Sequence, residues 1–392
     1  MPGFELFGQE EQTAVEDVFK RGGILFRYGF DKERRSVFKV AGFEREFAKY
    51  MDVRFAQAVS SGTAAVRVAL GPLRIQPGDE IITQCFTFVA TVEAIIEAGA
   101  TPVLTEIDES LNMDPVDLED RITERTRAII PVHMLGAPAK MDEILAIGRK
   151  HKIPVIEDSA QATGSSYYGR KTGTMGLMGC FSFDFVKTLT TGEGGMIITN
   201  DEETYDYLSW FADHGHVHDV TVPRGKDAHA ISGFNFRMNE IQGAIGLVQL
   251  HRLDHVLERQ CNNKFLIKKE LVKVDGLRFR DLTFPDGDGG DTLVFFVPTS
   301  KQAQEVSLYL ESKGIGTKIL PEAMNWHFSG NWSHMLGRFS QFRVDRLASL
   351  WPRSDEILGR AIAIPISVRM TEELIYSIIQ SVKEAAERHL YA

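Results

Sequence analysis

Lys187 and Asp158 are the two residues whose type and surroundings could do chemistry together. Lys187 stands between two apolar runs that read as strands, Cys180 to Phe183 and Met196 to Thr199, in a turn-rich segment closed by Gly192-Glu193-Gly194-Gly195. A lysine at a strand end has two readings. It can be a loop residue with a wet ammonium, or a pocket residue whose lowered pKa allows a Schiff base with a carbonyl compound. Upstream, the apolar run Val155-Ile156 stops at Glu157-Asp158. That pattern marks a buried parallel strand delivering a carboxylate to its carboxyl end, where open α/β sheets bind ligands. An acid so placed could hold a proton on a pyridine nitrogen, as an electron-sink cofactor needs.

Other stretches have the same double character. Ser60-Ser61-Gly62-Thr63 joins a strand, Phe55 to Val59, to a helical run, Ala64 to Leu70. It is either plain helix capping or a phosphate site made from backbone N–H groups and the positive end of the helix dipole. Phe88, at the start of the next helical run, is a core aromatic or a ring-stacking platform. Asp213-His-Gly-His-Val-His218 suits a substrate-facing loop, a solvated loop or, less well for want of a carboxylate or cysteine at fixed spacing, a metal site. No metal is expected. Arg237 serves equally as a structural ion pair or a substrate contact.

These residues, taken together, resemble the DegT/StrS group of pyridoxal-phosphate-dependent sugar aminotransferases. The likeness is carried by Ser60-Ser-Gly-Thr-Ala-Ala65, Phe86-Thr-Phe-Val-Ala-Thr91, Glu157-Asp158 with Gln161, Phe181-Ser-Phe183, Lys187, Gly192-Glu-Gly-Gly195 and Gly233-Phe-Asn-Phe-Arg237, in family order over nearly the whole chain. The resemblance implies a type I, aspartate-aminotransferase-like fold, an α/β architecture with a mostly parallel central sheet and a smaller α+β C-terminal domain. It implies Lys187 as the lysine that binds pyridoxal 5'-phosphate and Asp158 as the partner of the ring nitrogen. Phe88 would lie against the ring and Gln161 beside its 3-hydroxyl. Ser61, Gly62, Thr63 and Ser182 would hold the phosphate, with Asn235 reaching across from a second subunit. The implied partners are a sugar substrate, glutamate as amino donor and a second copy in a homodimer. The sugar 3-dehydratases of this fold carry histidine where Lys187 stands, which argues against that class. A pyridoxal-sensing regulatory protein would need an appended DNA-binding segment that the chain does not carry.

A narrower likeness bears on substrate. Trp326 and His327, the opening Met1-Pro-Gly-Phe-Glu-Leu-Phe-Gly8, the Phe26-Arg-Tyr28 arm and the Asp213-His-Gly-His216 loop resemble a branch that aminates carbon 8 of an oxidised 3,8-dideoxy-octulosonate, a lipopolysaccharide sugar. It would place Arg27, His214, His216, Arg237, Trp326 and His327 around the acceptor. From the residues alone, Phe26 to Asp31 is an extended arm and Asn325 to His334 a packed loop.

The elements that must position these groups follow from the pattern. A helix over Glu10 to Arg21 ends at Gly22-Gly23, and a second runs from Glu44 to Met51. From Asp79 to Asp158 apolar runs alternate with helical ones: Glu80 to Thr83, Thr87 to Ala98, Pro102 to Glu106, Pro115 to Ile122, Ala128 to His133, Met141 to His151 and Ile153 to Asp158. Strands separated by helices of this length predict right-handed crossovers and a parallel sheet covered on both faces. Helices are expected over Asn239 to Leu250 and His251 to Val274, with the domain boundary near the second. A smaller lobe then has the run Leu293 to Pro298, the helix Gln302 to Lys313, the strand Thr317 to Leu320 and a closing helix Thr371 to Arg388. The expected division is an arm and helix over 1–30, a large domain over 31–255 and a small domain over 256–392.

A chain of 392 residues, 43% hydrophobic and 25% charged, can bury a sizeable core in two such domains. Its formal charge of −10, with no compensating basic cluster, argues against a nucleic-acid surface. No apolar stretch long enough to span a membrane is present, and Met1 to Gly8 lacks the basic and apolar regions of a leader. A cytoplasmic protein is therefore expected. Cys85, Cys180 and Cys261 are too few and scattered for a disulfide framework and read as inert thiols. Asp281 to Asp291 reads as a flexible loop, since calcium-ligand spacing and a closing glutamate are absent.

Overall fold

The computed structural model describes residues 3–390. Seven strands make the main sheet: β1 Phe55–Val59, β2 Glu80–Gln84, β3 Thr101–Thr105, β4 Thr126–Ile130, β5 Ile156–Asp158, β8 Met178–Ser182 and β9 Gly195–Thr199. A two-strand hairpin, β6 Ser166–Tyr167 and β7 Arg170–Lys171, lies between β5 and β8. The order β1-β9-β8-β5 continues through parallel bridges Ile129 to Val155 and Val132 to Asp158 into β4-β2-β3. Only β9 runs against its neighbours, so the sheet is mixed but dominated by parallel pairing.

That topology sets the site. The carboxyl ends of β1, β2, β5 and β8 and the start of β9 lie along one edge. Val59 and Ser182 both pair with Gly195 there.

Alternation along the strands explains the layers. Phe181, Met196 and Ile198 face helix Lys39–Met51 through Phe43 and Phe47, in one buried cluster with Leu250 and Leu253. Met178, Cys180 and Ile197 face the other way, onto Ala65, Val68 and Leu208 of helices Gly62–Ala69 and Glu202–Phe211. Each fully buried phenylalanine contributes about 2–3 kcal/mol of transfer free energy.

The second helix begins at Lys39, five residues before the expected Glu44. The two helices expected over 239–274 are one, Glu240–Leu271, with an Asn239 cap and no proline to break it. The expected boundary at residue 255 thus falls inside a continuous helix. The small lobe carries a three-stranded sheet, β10 Arg278–Phe279, β11 Thr292–Phe296 and β12 Ala361–Pro365, packed on helices Ser300–Ser312 and Glu372–His389. The expected strand Thr317 to Leu320 is irregular: it keeps two hydrogen bonds with Ala363, while Ile319 sits at φ 70° and Lys318 turns inward to Asp291 at 2.5 Å. A helix–loop segment over 324–351 docks on the large domain through Trp332 and Trp351, both fully buried, and the Trp351 indole N–H donates to the Leu104 carbonyl at 2.8 Å.

No helix among the described residues is long and apolar enough to cross a membrane.

Candidate active site

A cavity of about 340 Å³ opens at the carboxyl edge of the sheet, within the size range of small-molecule sites. Nine of the expected residues line it: Ser61, Gly62, Thr63, Phe88, Asp158, Gln161, Ser182, Lys187 and His327.

The phosphate end is built by close approach. Helix Gly62–Ala69 starts under Ser182, and a Cβ on Gly62 would meet the Ser182 Cβ at 2.6 Å and its Oγ at 2.8 Å. Glycine is required by that contact. Ser61 caps the helix by accepting from Ala64 N–H at 3.0 Å. The first N–H groups of any helix lack intrahelical carbonyl partners, so this end offers donors and a positive dipole to an anion. A Cβ on Gly195 would come within 2.2 Å of the Ser61 carbonyl, which accounts for one glycine of the closing motif.

Asp158 ends β5 and is buried. One carboxylate oxygen accepts from Thr91 Oγ at 2.8 Å and the other from Ala160 N–H at 3.1 Å. Burial pushes its pKa up against these hydrogen bonds, and no ion pair offsets it among the described residues. A cationic ring N–H is the partner such a carboxylate lacks. The adjacent Glu157 is structural, since it accepts from the backbone N–H groups of Gly173, Met175 and Gly176 and pairs with the buried His133 at 3.0 Å.

Lys187 lies half-buried in the loop after β8. Its Nζ makes no hydrogen bond or ion pair among the described residues, and desolvation pulls its pKa down, outweighing the attraction of Asp184. Gln161 accepts from Leu135 N–H at 3.1 Å, which turns its NH₂ into a donor for the cavity. A buried carboxylate and an amine that form no salt bridge among the described residues, an aromatic flank in Phe88 and a glycine-built anion end fit pyridoxal phosphate.

His327 reaches the same cavity from the small lobe. Its Nδ1 lies 2.9 Å from the Ala323 carbonyl, which can only accept, so Nε2 is the bare nitrogen. Burial drops its pKa to about 4, and its ring lies 5.3 Å from that of Phe88.

The remaining expected residues stand elsewhere in the protomer. Arg27 is buried in a bidentate pair with Glu44 at 2.7 and 2.8 Å and donates to the Ala58 carbonyl, so its guanidinium is committed to the fold. Arg237 pairs with Asp213 at 2.5 Å. His216 lies 3.2 Å from Asp227, while His214 and Asn235 are exposed, and Trp326 is 62% exposed. Among the described residues no cluster of three or more histidines, cysteines or acids could hold a metal.

Thr91 and Glu193 lie within the quoted motifs without a site role of their own, and with Asp184 they line the cavity, whereas Arg224 lies outside every motif. The Thr91 hydroxyl meets that of Thr87, which precedes the helix, at 2.8 Å and donates to Asp158. Arg224 gave no signal; it pairs with Asp213 across eleven residues of loop.

Residues 32–383 match the DegT/DnrJ/EryC1/StrS aminotransferase family. The chain belongs to this family. It is 43% identical to the GDP-perosamine synthase of Caulobacter vibrioides over 223 residues, 56% of this chain and 59% of that one. The first such relatives are thus matched over less than two thirds of their own length. The spore coat polysaccharide biosynthesis protein SpsC of Bacillus subtilis is 32% identical over 97% of this chain and 95% of its own. The solved structure of an aminotransferase from Psychrobacter cryohalolentis superposes with a TM-score of 0.87 at 28% identity, covering 98% of both chains. Pyridoxal phosphate is the cofactor of this family, and the cavity residues above are those that would hold it.

Proposed function

We propose that this chain is a sugar aminotransferase that moves the amino group of glutamate to an oxidised sugar, releasing 2-oxoglutarate. The observation that carries the reading is that one cavity brings together a lysine and a buried carboxylate that attract each other across it, neither held in a salt bridge among the described residues. When bound, pyridoxal phosphate supplies an electron sink for the carbanion left by proton removal. Asp158 would hold the proton on the ring nitrogen, and Thr91 and Ala160 orient the carboxylate. Lys187, its pKa lowered by burial, is available as free base to take the proton from the α carbon of the donor. Phe88 would lie against one face of the ring, Gln161 would donate to its oxygen, and Ser61, Gly62, Thr63 and Ser182 would hold the phosphate.

For the acceptor we favour 8-oxo-3,8-dideoxy-manno-octulosonate, giving the 8-amino sugar of lipopolysaccharide. Support comes from the way the branch-specific stretches condense. Tyr28 stacks on His218 at 4.6 Å, and Arg224 and Arg237 each lie 5.3 Å over the Phe26 ring while sharing Asp213. The arm and the histidine loop are therefore one layer, which Asn235 borders. In a homodimer this layer would stand at the second copy's cavity, offering guanidinium groups to a sugar carboxylate. The opening Met1-Pro2 of the branch likeness lies outside the described residues. His327 Nε2 would accept from a sugar hydroxyl.

The likeness to GDP-perosamine synthases favours a second reading, amination of a nucleotide-linked keto sugar. The two separate by acceptor. With glutamate as donor, 2-oxoglutarate should form on adding the 8-oxo acid sugar and not on adding a GDP-linked 4-keto sugar. The reverse result selects the second reading.

A further inference from the structure

The turn Gly3–Leu6 lies against the loop that carries Lys187. Gly3 N–H donates to the Lys187 carbonyl at 3.1 Å. A Cβ on Gly3 would come within 2.6 Å of that oxygen and 2.9 Å of the Thr188 carbonyl, so the seat admits glycine alone. Next in sequence, Phe4 stacks on Phe185, with ring centroids 4.7 Å apart and planes at 19°.

The other side of the turn is tied to the small lobe and the long helix. The Glu5 carboxylate accepts from the Ser367 hydroxyl at 2.5 Å and from Arg369 N–H at 3.2 Å. Arg252, on helix Glu240–Leu271, donates to the Leu6 carbonyl at 2.7 Å and pairs with Glu11. Ser367 follows β12, the strand whose Ala363 bonds both Lys318 and Leu320 and so places Ile319 at the cavity. Lys187 and Ile319 belong to different lobes. The turn is a short connection between them that does not pass through the core.

We propose that Gly3–Leu6 is a positioning strap that fixes the backbone of Lys187 relative to the small-lobe wall of the cavity. Gly3 and Glu5 are its positioning residues. They touch no reacting atom; they set where the lysine amine stands relative to a substrate held by the opposite wall. An attacking or proton-moving group displaced by about 1 Å loses on the order of 10²-fold in rate, so a loosened strap is visible in turnover. The proposal rests on the reading of Lys187 as the lysine that binds the cofactor.

Three variants test it. Gly3→Ala forces the turn off the Lys187 carbonyl, Glu5→Ala cuts the link to the small lobe, and Glu5→Gln keeps an oxygen that accepts from Ser367. Hydrogen exchange of amides 185–191 is followed in protein without cofactor, beside kcat and KM for glutamate in the loaded enzyme. Gly3→Ala and Glu5→Ala should speed exchange of that segment by about 10-fold or more, as expected when local opening becomes easier. They should lower kcat by roughly 10- to 100-fold with KM within about 2-fold, the signature of misplacement rather than lost binding. Glu5→Gln should remain within about 3-fold of the parent in both, as befits a retained hydrogen bond. Unchanged exchange in Gly3→Ala and Glu5→Ala, or faster exchange with full kcat, overturns the strap. Mapping the borohydride-trapped cofactor in the parent enzyme tests the underlying reading separately: a trap on another lysine removes that reading and leaves the exchange result to stand or fall alone.

Discussion

Asp158→Asn should separate stability from catalysis, because the two place opposite demands on that carboxylate. In the protein without cofactor, Asp158 is buried with no ion pair among the described residues, and burial raises its pKa above the ordinary 3.8. A carboxyl whose folded pKa is raised contributes its full stability below the unfolded value and loses it as pH rises through the folded one. The penalty on the wild type therefore grows as pH rises above the ordinary carboxyl value. Asparagine is uncharged, and the surrounding hydrogen bonds can turn round to suit it. Its oxygen still accepts from Ala160 N–H, and its NH₂ donates to Thr91 Oγ. Thr91 then donates to Thr87, 2.8 Å away, and Thr87 donates to the Phe88 carbonyl at 3.4 Å. No buried polar atom loses its partner. The apo variant should gain about 1 kcal/mol at pH 7, on the order of one pKa unit of differential stabilisation. The gain should shrink to nothing as pH falls to the unfolded carboxyl value. An amide cannot keep the ring nitrogen protonated, so kcat should fall on the order of 10²–10³-fold, the usual cost of losing one placed electrostatic group. Urea midpoints of apo protein between pH 4 and 8, beside kcat of the loaded enzyme, check both arms. A variant that is less stable without cofactor and retains kcat would refute the role given to Asp158.

Other expected outcomes follow from single contacts. Gly62→Ala, with its new methyl 2.6 Å from Ser182 Cβ, should cost about 1–3 kcal/mol of stability and weaken pyridoxal phosphate binding roughly 10- to 100-fold, read by calorimetric titration of apo protein. Arg27→Met strands Glu44 in the core and should cost about 3–5 kcal/mol while leaving KM for the sugar unchanged. A raised KM without lost stability would instead make Arg27 a substrate contact. His327, pulled from 6.5 to about 4 by burial, contributes stability that is complete above about pH 6.5 and drains as pH falls through about 4. His327→Asn should flatten the stability profile in that window by about 3 kcal/mol, checked by urea midpoints from pH 4 to 7.

Much of the sheet and part of the cavity were legible because both depend on local signals. Each strand of the main sheet is an apolar run stopped by a turn, and Phe55–Val59 matches the expected bounds. Ser61, Gly62, Asp158 and Lys187 sit where an apolar run gives way to a polar turn, whereas Gln161, Ser182, His327 and the ring-facing role of Phe88 follow from the resemblance and not from local pattern. What escaped depends on contacts distant in sequence. Nothing near Arg27 announces that Glu44, on the next helix, will take its charge. The run Thr-Lys-Ile-Leu over 317–320 has strand-like composition, yet the attraction of Lys318 to Asp291 and Thr292 holds it out of regular pairing. Helix Glu240–Leu271 runs on through Leu250-His251, where two helices are expected to meet. Its inner glycines Gly243 and Gly246 admit Val40 and Phe43 at distances no Cβ would allow.

The most direct measurement is the visible spectrum of the pyridoxal-phosphate-loaded protein with glutamate alone, in wild type and Lys187→Ala. Glutamate should bleach the yellow cofactor band of the wild type, the 8-oxo acid sugar added afterwards should restore it, and Lys187→Ala should neither show a borohydride-trapped cofactor nor turn over. A wild-type band that no amino donor changes, or a trapped cofactor retained in Lys187→Ala, would contradict this reading.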